Sequence, residues 1–240
     1  MPEPSQEAQR IVDFIRKSAG SRKAIVGLSG GIDSSVVYSL CIRALGPERV
    51  IGLFLPDART PASDEEDVME LANSQKGTYR KVSIEPMVSA FVDTLGATDR
   101  RAIGNIKSRV RMVVLYYYAN TDGGIVVGTT NRTEYLTGYY TKYGDGACDI
   151  EPIMHLYKHQ VREMASYLGV PRRIIEKKPT AGLWEGQTDE DELGITYDRL
   201  DRILEDLFDL RIGTLTEEHR RIRAMYEETK HKREMPRSLQ

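Results

Sequence analysis

Nine consecutive residues organise this chain: Gly27-Leu28-Ser29-Gly30-Gly31-Ile32-Asp33-Ser34-Ser35. The apolar run at 24–26 is typical of a buried parallel strand, and the run at 36–42 predicts a helix. Such a loop between a strand and a helix holds anions, because backbone N–H groups at the helix N-terminus point at the ligand. Gly30 and Gly31 tolerate positive φ angles and let the backbone approach phosphate oxygens. The stretch therefore predicts a phosphate-binding loop.

Asp33 and the pattern of the loop indicate which kind of nucleotide site is present. The loop lacks the Gly-Lys-Ser/Thr ending of a P-loop, and it does not match the Gly-x-Gly-x-x-Gly dinucleotide pattern. A carboxylate in a phosphate-binding loop is repulsive unless a cation lies between the two, so Asp33 implies a bridging Mg²⁺. The alternative is an ordinary glycine-rich turn in which Asp33 and Ser34 cap the next helix. The complete Ser-Gly-Gly-x-Asp-Ser-Ser string favours the nucleotide site.

The segment 29–34 resembles the pyrophosphate loop of the ATP pyrophosphatases. This resemblance implies that ATP is cleaved between its α- and β-phosphates, that a substrate is adenylated and that pyrophosphate is released. The family includes NAD, GMP, asparagine and argininosuccinate synthetases and tRNA-thiolating enzymes. The loop alone does not choose among them.

Composition argues against several classes of protein. The chain has 240 residues and a net charge of −2, so no bulk basic field indicates a nucleic-acid partner. No apolar run is long enough to cross a membrane, and the N-terminus has no signal-peptide character. Cys41 and Cys148 support neither a disulfide framework nor a metal cluster. We therefore expect a cytoplasmic protein with reduced thiols.

Strands and helices are predicted to alternate along the first 130 residues. Further strands are predicted at 50–55, 79–84 and 123–130, and helices at 5–19, 63–73, 85–95 and 99–120. We expect Ser63 to cap its helix, and Val113 and Tyr117 to lie on the apolar side of the longest helix. The pattern predicts an α/β fold: a doubly wound, Rossmann-like parallel sheet with helices on both faces and ligands at the carboxyl ends of its strands.

A polar stretch, 128–149, follows the fourth predicted strand. Glu134 falls about one helical turn past the strand, where its carboxylate can complete the coordination of a Mg²⁺ held by Asp33. The alternative is a first-turn Glu that only favours the helix dipole. On the long helix, Arg109 is placed where a bound anion can be met, although helix composition alone favours a solvated basic face.

Motifs beyond residue 127 resemble those of the NAD synthetases. They are Gly128-Thr129, Glu134, Thr137-Gly138, Thr141-Lys142-Tyr143-Gly144-Asp145-Gly146, Asp149, Pro152, Lys158, Lys178-Pro179-Thr180-Ala181, Leu193-Gly194-Ile195-Thr196-Tyr197-Asp198 and His231-Lys232-Arg233. With the first loop they run in order from Gly27 to Arg233, so the resemblance covers nearly the whole chain. GMP synthetases are not expected to show the Thr-Lys-Tyr-Gly-Asp-Gly run. Residues 130–133 depart from the bacterial form and look like the archaeal one.

The resemblance implies roles for the matching positions. ATP would be held by Gly27, Leu28, Ser29, Gly30, Gly31, Ile32, Asp33, Ser34, Thr129, Lys158 and Thr180. Asp33 and Glu134 would bind Mg²⁺, and Lys158 would stabilise charge that develops on the phosphates. Deamido-NAD would be held by Arg109, Lys142, Asp149, His231 and Lys232. Asp149 is also a candidate acceptor for the proton of ammonia.

These roles imply an ammonia-dependent NAD synthetase that adenylates the carboxylate of deamido-NAD, after which ammonia displaces AMP. Relatives that use glutamine carry an added amidohydrolase domain with a catalytic cysteine. We expect none here, because the first motif begins at Gly27 and only seven residues follow Arg233. A homodimer is expected from the resemblance alone.

Three alternatives stay open at this point. A GMP synthetase-like amidotransferase shares the first loop. A tRNA-modifying adenylating enzyme would need zinc-type cysteine pairs and a basic surface, and the chain has neither. A nucleotide sensor without catalysis is disfavoured by the intact pair Asp33 and Glu134.

The C-terminal third predicts helices at 153–168, 197–210 and 216–230, the last two packing on the body or on a second subunit. Residues 179–194 are predicted to be loop-like. A long loop in a compact domain is typically functional, so we expect a mobile lid over the nucleotides. The whole chain, 1–240, is then one domain with a lid and a helical C-terminal end.

Overall fold

The computed structural model describes residues 3–180, 188–236 and 238–239. Four parallel strands form a sheet in the order β3-β2-β1-β4. They are β1 (Lys23–Leu28), β2 (Val50–Phe54), β3 (Tyr79–Lys81) and β4 (Gly124–Val127). The two central strands, β1 and β2, are almost entirely buried, as expected of strands that are covered on both faces. An isolated parallel bridge joins Val127 to Ile150 beside β4.

Helices surround this sheet. They are α1 (Pro4–Ala19), α2 (Ile32–Leu45), α3 (Ala62–Ser74), α4 (Glu85–Leu95), α5 (Arg100–Asp122), α6 (Arg132–Thr137), α7 (Lys158–Tyr167), α8 (Arg172–Glu176), α9 (Asp189–Leu193), α10 (Tyr197–Leu204), α11 (Glu217–Glu228) and α12 (Lys230–Arg233). One core packs α1, α2 and α7 against the sheet, with Ile15 and Met164 fully buried in it. A second core contains Val88 of α4 and Val110 of α5 together with sheet residues. The predicted α/β sheet with helices on both faces is confirmed.

Strand order indicates which edge of the sheet is suited to bind a ligand. The chain adds β2 and then β3 on one side of β1, and then crosses to place β4 on the other side. From β1 the chain continues to β2 on one side, whereas after β4 it returns at Ile150 on the other side, and a crevice lies at the carboxyl ends of these strands. The loop after β1 and the stretch after β4 meet at this crevice.

Several predicted boundaries and side-chain placements are wrong. Helix α3 begins at Ala62, directly after Pro61, so Ser63 already lies inside it and no side-chain cap forms. Helix α7 begins at Lys158 rather than at residue 153, because residues 152–155 form turns after β4. Val113 is 58% exposed and Tyr117 is 61% exposed. Helix α5 instead packs on the sheet through Val110 and neighbouring apolar residues on another side.

The C-terminal helices pack on the body of the same chain. Leu200 and Ile203 of α10 and Ile222 of α11 are fully buried, in a third core with Leu136 and Tyr157. A π-helical turn (Glu205–Asp209) follows α10, where a continuous α-helix to residue 210 was predicted.

The predicted loop at 179–194 is partly helical, because α9 occupies its end. Thr188 caps α9 by accepting a hydrogen bond from the backbone of Asp191, and four acidic residues favour the helix N-terminus. Residues 181–187 lie outside the described part of the chain, so the closing lid stays a prediction. Among the described helices, none is long and apolar enough to cross a membrane.

Candidate active site

A cavity of about 400 Å³ opens at the carboxyl ends of β1 and β4. Its lining includes Gly27, Leu28, Ser29, Gly31, Ile32, Asp33, Ser34, Thr129, Glu134, Lys158 and Thr180. The structure thus brings together every residue predicted to contact ATP or Mg²⁺ except Gly30, which lies against Asp64 of α3.

The loop after β1 is shaped by its own hydrogen bonds. Gly31 precedes α2 in an extended conformation, and its N–H donates to Ser29 Oγ at 3.2 Å. The hydroxyls of Ser34 and Ser35 donate to the Gly31 carbonyl at 3.1 and 2.7 Å. These serines therefore hold the turn in shape, in addition to any contact with a ligand.

Gly30 is required by geometry. Its φ is +76°, and a Cβ added there would lie 2.9 Å from the backbone oxygen of Asp64. Lys177 ties the same elements together, because its Nζ contacts Asp64 Oδ1 at 2.6 Å, Asp67 Oδ2 at 2.7 Å and the Gly30 carbonyl at 3.4 Å.

Gly30→Ala is expected to lower kcat/KM for ATP by about 10-fold or more, because the loop must shift away from α3. Gly20→Ala is a matched control: its φ is +57°, yet nothing lies within 4 Å of an added Cβ. That change should reduce stability by about 1 kcal/mol and leave kinetics unchanged. Steady-state kinetics and thermal unfolding of both variants check the prediction, and equal ATP kinetics in the two would contradict it.

Two carboxylates and one ammonium converge in the lining of the cavity. Lys158 Nζ lies 2.5 Å from Asp33 Oδ2 and 3.3 Å from Glu134 Oε1. The Lys158 side chain is only 3% exposed. The ring of Tyr197 covers the ammonium, with Nζ 4.9 Å from the ring centroid. Lys158 was predicted to contact ATP, and the structure pairs it with both predicted metal ligands.

The local sequence explains how the carboxylates are placed. Asp33 lies in the first turn of α2, and Glu134 lies in the first turn of α6. Asn131 caps α6 in a capping box with Glu134 and also donates from Nδ2 to Asp33 Oδ1 at 2.9 Å. Asn131 is fully buried and was not predicted as a site residue, although an Asn three residues before Glu134 is a recognisable capping signal.

Electrostatics indicate a site that favours bound cations. Burial, followed by the nearby charge of Asp33, raises the pKa of Glu134 to about 8. Burial opposes the charge of Lys158, but Asp33 and Glu134 outweigh that effect and raise the pKa of its ammonium. Mg²⁺ typically uses one or two carboxylates together with phosphate oxygens and waters. Two carboxylates that converge on one cation fit that donor set. Within the described residues, no group of three or more His, Cys, Asp or Glu side chains is placed to hold a metal ion.

One face of α5 lines the cavity and was missed by sequence reasoning. Arg101, Asn105, Ser108 and Met112 follow helical spacing along it. Arg109, which was predicted to meet an anion, is exposed on another side of the helix, and among the described residues the cavity lining does not include it. The polar residues at positions 101, 105 and 108 follow helical spacing, and this pattern was the available sign that this face of α5 lines a site.

Four residues predicted to bind deamido-NAD form a basic cluster nearby. Arg109 Nη2 donates to the Lys142 carbonyl at 3.2 Å, and Lys142 Nζ donates to the His231 carbonyl. Lys232 Nζ donates to the carbonyls of Gly138 and Tyr140, both at 2.6 Å. Lys142 and Lys232 line a second cavity of about 370 Å³, and Lys232 lines the first cavity as well.

Asp149 lies apart from this cluster. Its Oδ2 accepts a hydrogen bond from the backbone of Val126 in β4 at 2.8 Å, and its side chain is exposed. Among the described residues, Asp149 is not part of the lining of either cavity.

Residues 7–236 match the model of the family described as NAD synthase. The chain is 55% identical over 239 residues to the NH(3)-dependent NAD(+) synthetase of Thermoplasma acidophilum, covering 100% of this chain and 99% of that relative. Its structure is similar to that of NMN synthetase from Francisella tularensis, with a TM-score of 0.91, 37% identity and coverage of 100% and 99%. It is also similar to the NH3-dependent NAD synthetase from Campylobacter jejuni in complex with the nitrate ion, with a TM-score of 0.85, 29% identity and full coverage of both chains.

Proposed function

The chain belongs to the NAD synthase family, and on that basis we propose how its residues carry out the reaction. The reaction is the ATP-dependent amidation of deamido-NAD to NAD by ammonia. The observation that carries the proposal is the convergence of Asp33, Glu134 and Lys158 beside the loop after β1. This arrangement supports an ATP site in which the α-phosphate is attacked by a substrate carboxylate.

On the ATP side, backbone N–H groups of residues 27–34 hold the phosphates at the N-terminus of α2. Asp33 and Glu134 would hold Mg²⁺, which when bound neutralises phosphate charge and orients the leaving pyrophosphate. Lys158 turns from the carboxylates towards the α-phosphate and stabilises the charge that develops there. Thr129 and Thr180 complete the binding of ATP from the loop after β4 and from the segment before α9.

On the substrate side, the basic cluster of Arg109, Lys142, His231 and Lys232 binds the anionic groups of deamido-NAD. The pyrophosphate and the carboxylate need cations, and Lys232 connects the cluster to the ATP cavity. Asp149 keeps its proposed roles as a ligand of deamido-NAD and an acceptor of the ammonia proton. No covalent nucleophile is needed, because the adenylate is already an activated acyl group.

We also propose that residues 1–240 act as one domain, in the cytoplasm and as a homodimer. Both cysteines are free, which suits a reducing compartment. An apolar surface is available for a second copy of the chain: Phe91 and Leu95 of α4 and Val113 and Tyr117 of α5 are each more than half exposed.

The experiment that tests the function combines the purified protein with ATP, Mg²⁺, ammonium and deamido-NAD. NAD, AMP and pyrophosphate are expected in equal amounts, because the loop lacks the lysine that addresses β- and γ-phosphates in P-loop enzymes. Chromatography of the products with an enzymatic pyrophosphate assay measures this stoichiometry. ADP and phosphate as the stoichiometric products would contradict the assignment.

Three further arms of this experiment identify the nitrogen source and the substrate. Glutamine is not expected to replace ammonium, since Cys41 is fully buried and burial raises the pKa of the Cys148 thiol. At fixed total ammonium, the rate should rise with pH, because NH₃ and not NH₄⁺ attacks the adenylate. Nicotinic acid mononucleotide is the second candidate substrate, favoured by the likeness to the F. tularensis NMN synthetase. A higher kcat/KM with the mononucleotide than with deamido-NAD would show that the mononucleotide is the preferred substrate.

A further inference from the structure

Asp201 is a buried carboxylate outside the cavity that contacts two elements of the active site. It lies on α10 and is only 1% exposed. Its Oδ1 accepts a hydrogen bond from the Thr133 hydroxyl of α6 at 2.5 Å. Its Oδ2 lies 2.9 Å from the backbone nitrogen of His159, which donates to it, and 3.0 Å from His159 Nδ1. A buried carboxylate is costly unless its oxygens are hydrogen-bonded, and here both oxygens are.

These contacts hold the N-terminus of α7. The residue before α7 is Tyr157, which is not one of the short polar side chains that usually cap a helix. The first two N–H groups of α7 are satisfied from other elements instead: Lys158 N donates to Thr133 Oγ1 at 3.1 Å, and His159 N donates to Asp201 Oδ2. A negative charge at this helix end is also favoured by the helix dipole.

The network reaches two charged groups of the cavity, Glu134 and Lys158, through their nearest neighbours in sequence. Thr133 precedes Glu134 on α6, and His159 follows Lys158 on α7. The Thr133 hydroxyl accepts from Lys158 N, which joins α6 to α7 directly, and it donates to Asp201, which joins α6 to α10. Tyr197, one turn before Asp201 on α10, covers the Lys158 ammonium. A displacement of Asp201 would therefore change the spacing of Glu134 and Lys158.

We propose that Asp201 is a positioning residue that sets the relative placement of Glu134 and Lys158, acting through Thr133 and His159. This inference rests on the proposed role of Glu134 and Lys158 in binding Mg²⁺ and ATP phosphates. It assigns to α10, which does not line the cavity within the described residues, a part in the geometry of the reaction.

The test compares Asp201→Asn with Asp198→Asn, a control on the same helix whose side chain is 72% exposed. Asp201→Asn is expected to lower kcat/KM for ATP by about 10- to 100-fold and to raise the Mg²⁺ concentration for half-maximal rate. Calorimetric binding of the α,β-methylene analogue of ATP with Mg²⁺ should weaken in parallel, which is a readout independent of turnover. The control should stay within about twofold of the unmodified protein in both measurements.

A second pair of variants covers the case in which Asp201→Asn fails to fold. Thr133→Val removes the bridging hydroxyl and should reproduce the raised Mg²⁺ requirement. Thr133→Ser keeps the hydroxyl and should have the same Mg²⁺ requirement as the unmodified protein. A folded Asp201→Asn protein with a lowered melting temperature but unchanged Mg²⁺ requirement and analogue binding would overturn the inference, since a merely structural role predicts that result. If the unmodified protein itself makes no NAD, the proposed function is contradicted. That result is distinct from a normal Mg²⁺ requirement in Asp201→Asn, which contradicts only the positioning role of Asp201.

Discussion

Asp33→Asn is expected to lower kcat by about 10²- to 10³-fold while the protein stays folded. The Asp33 carboxylate contacts the Lys158 ammonium at 2.5 Å and accepts from Asn131 Nδ2 at 2.9 Å. Asparagine preserves the shape of the side chain but removes the charge that Mg²⁺ and its phosphates require in the proposed mechanism. The loss should be largest in kcat, because this charge acts where the α-phosphate reacts.

Glu134→Gln should cause a loss of similar size. If both carboxylates bind one metal ion, the double variant should be little worse than either single one, because the first change already abolishes the shared site. Steady-state kinetics of all three variants over a range of Mg²⁺ concentrations measure this coupling. Asp13→Asn and Glu176→Gln are matched controls on the surface, where both side chains are about 60% exposed. Near-normal turnover in either single variant, or fully additive losses of kcat in the double variant, would contradict a metal site shared by the two carboxylates.

The fold was largely predictable because local signals agreed with one another. The apolar runs that became β1 and β2 are buried on both faces, and they are separated by a helix of suitable length. Such agreement across several levels is the condition under which sequence reasoning succeeds. The helix ends were less predictable, because Pro61 and Tyr157 occupy N-cap positions without a capping hydrogen bond from their side chains.

The site was only partly predictable from the sequence, for a different reason. Motifs identify residues that touch a ligand, as with the loop after β1. They do not identify residues on distant elements that hold the ligand-contacting residues in position. Asn131 bonds to Asp33 across 98 positions, and Asp201 bonds to His159 across 42 positions. The exposure of Val113 and Tyr117 was missed because helical periodicity gives an apolar stripe without saying how much of it the sheet covers.

Lys158→Met is expected to lower kcat by about 100-fold or more, since it removes the cation proposed to stabilise charge on the α-phosphate. Its effect on stability should depend on Mg²⁺. Without the ammonium, the largely buried Asp33 and Glu134 lose the cation that both of them contact, and breaking such a buried pair is strongly destabilising. Mg²⁺ alone should then bind in place of the ammonium. The melting temperature of the variant should therefore be low without Mg²⁺ and should rise more on adding Mg²⁺ than that of the unmodified protein.

Thermal unfolding with and without Mg²⁺, together with steady-state kinetics, measures both halves of this prediction. Lys23→Met is the matched control, because Lys23 is 40% exposed and pairs only loosely with Asp122, at 3.9 Å. That control should show neither the kinetic loss nor the larger response to Mg²⁺. Lys158→Arg keeps the charge but not the compact ammonium, so it should retain stability without Mg²⁺ and still turn over slowly. An equal response to Mg²⁺ in the Met variant and the unmodified protein would show that Lys158 and Mg²⁺ do not share the two carboxylates.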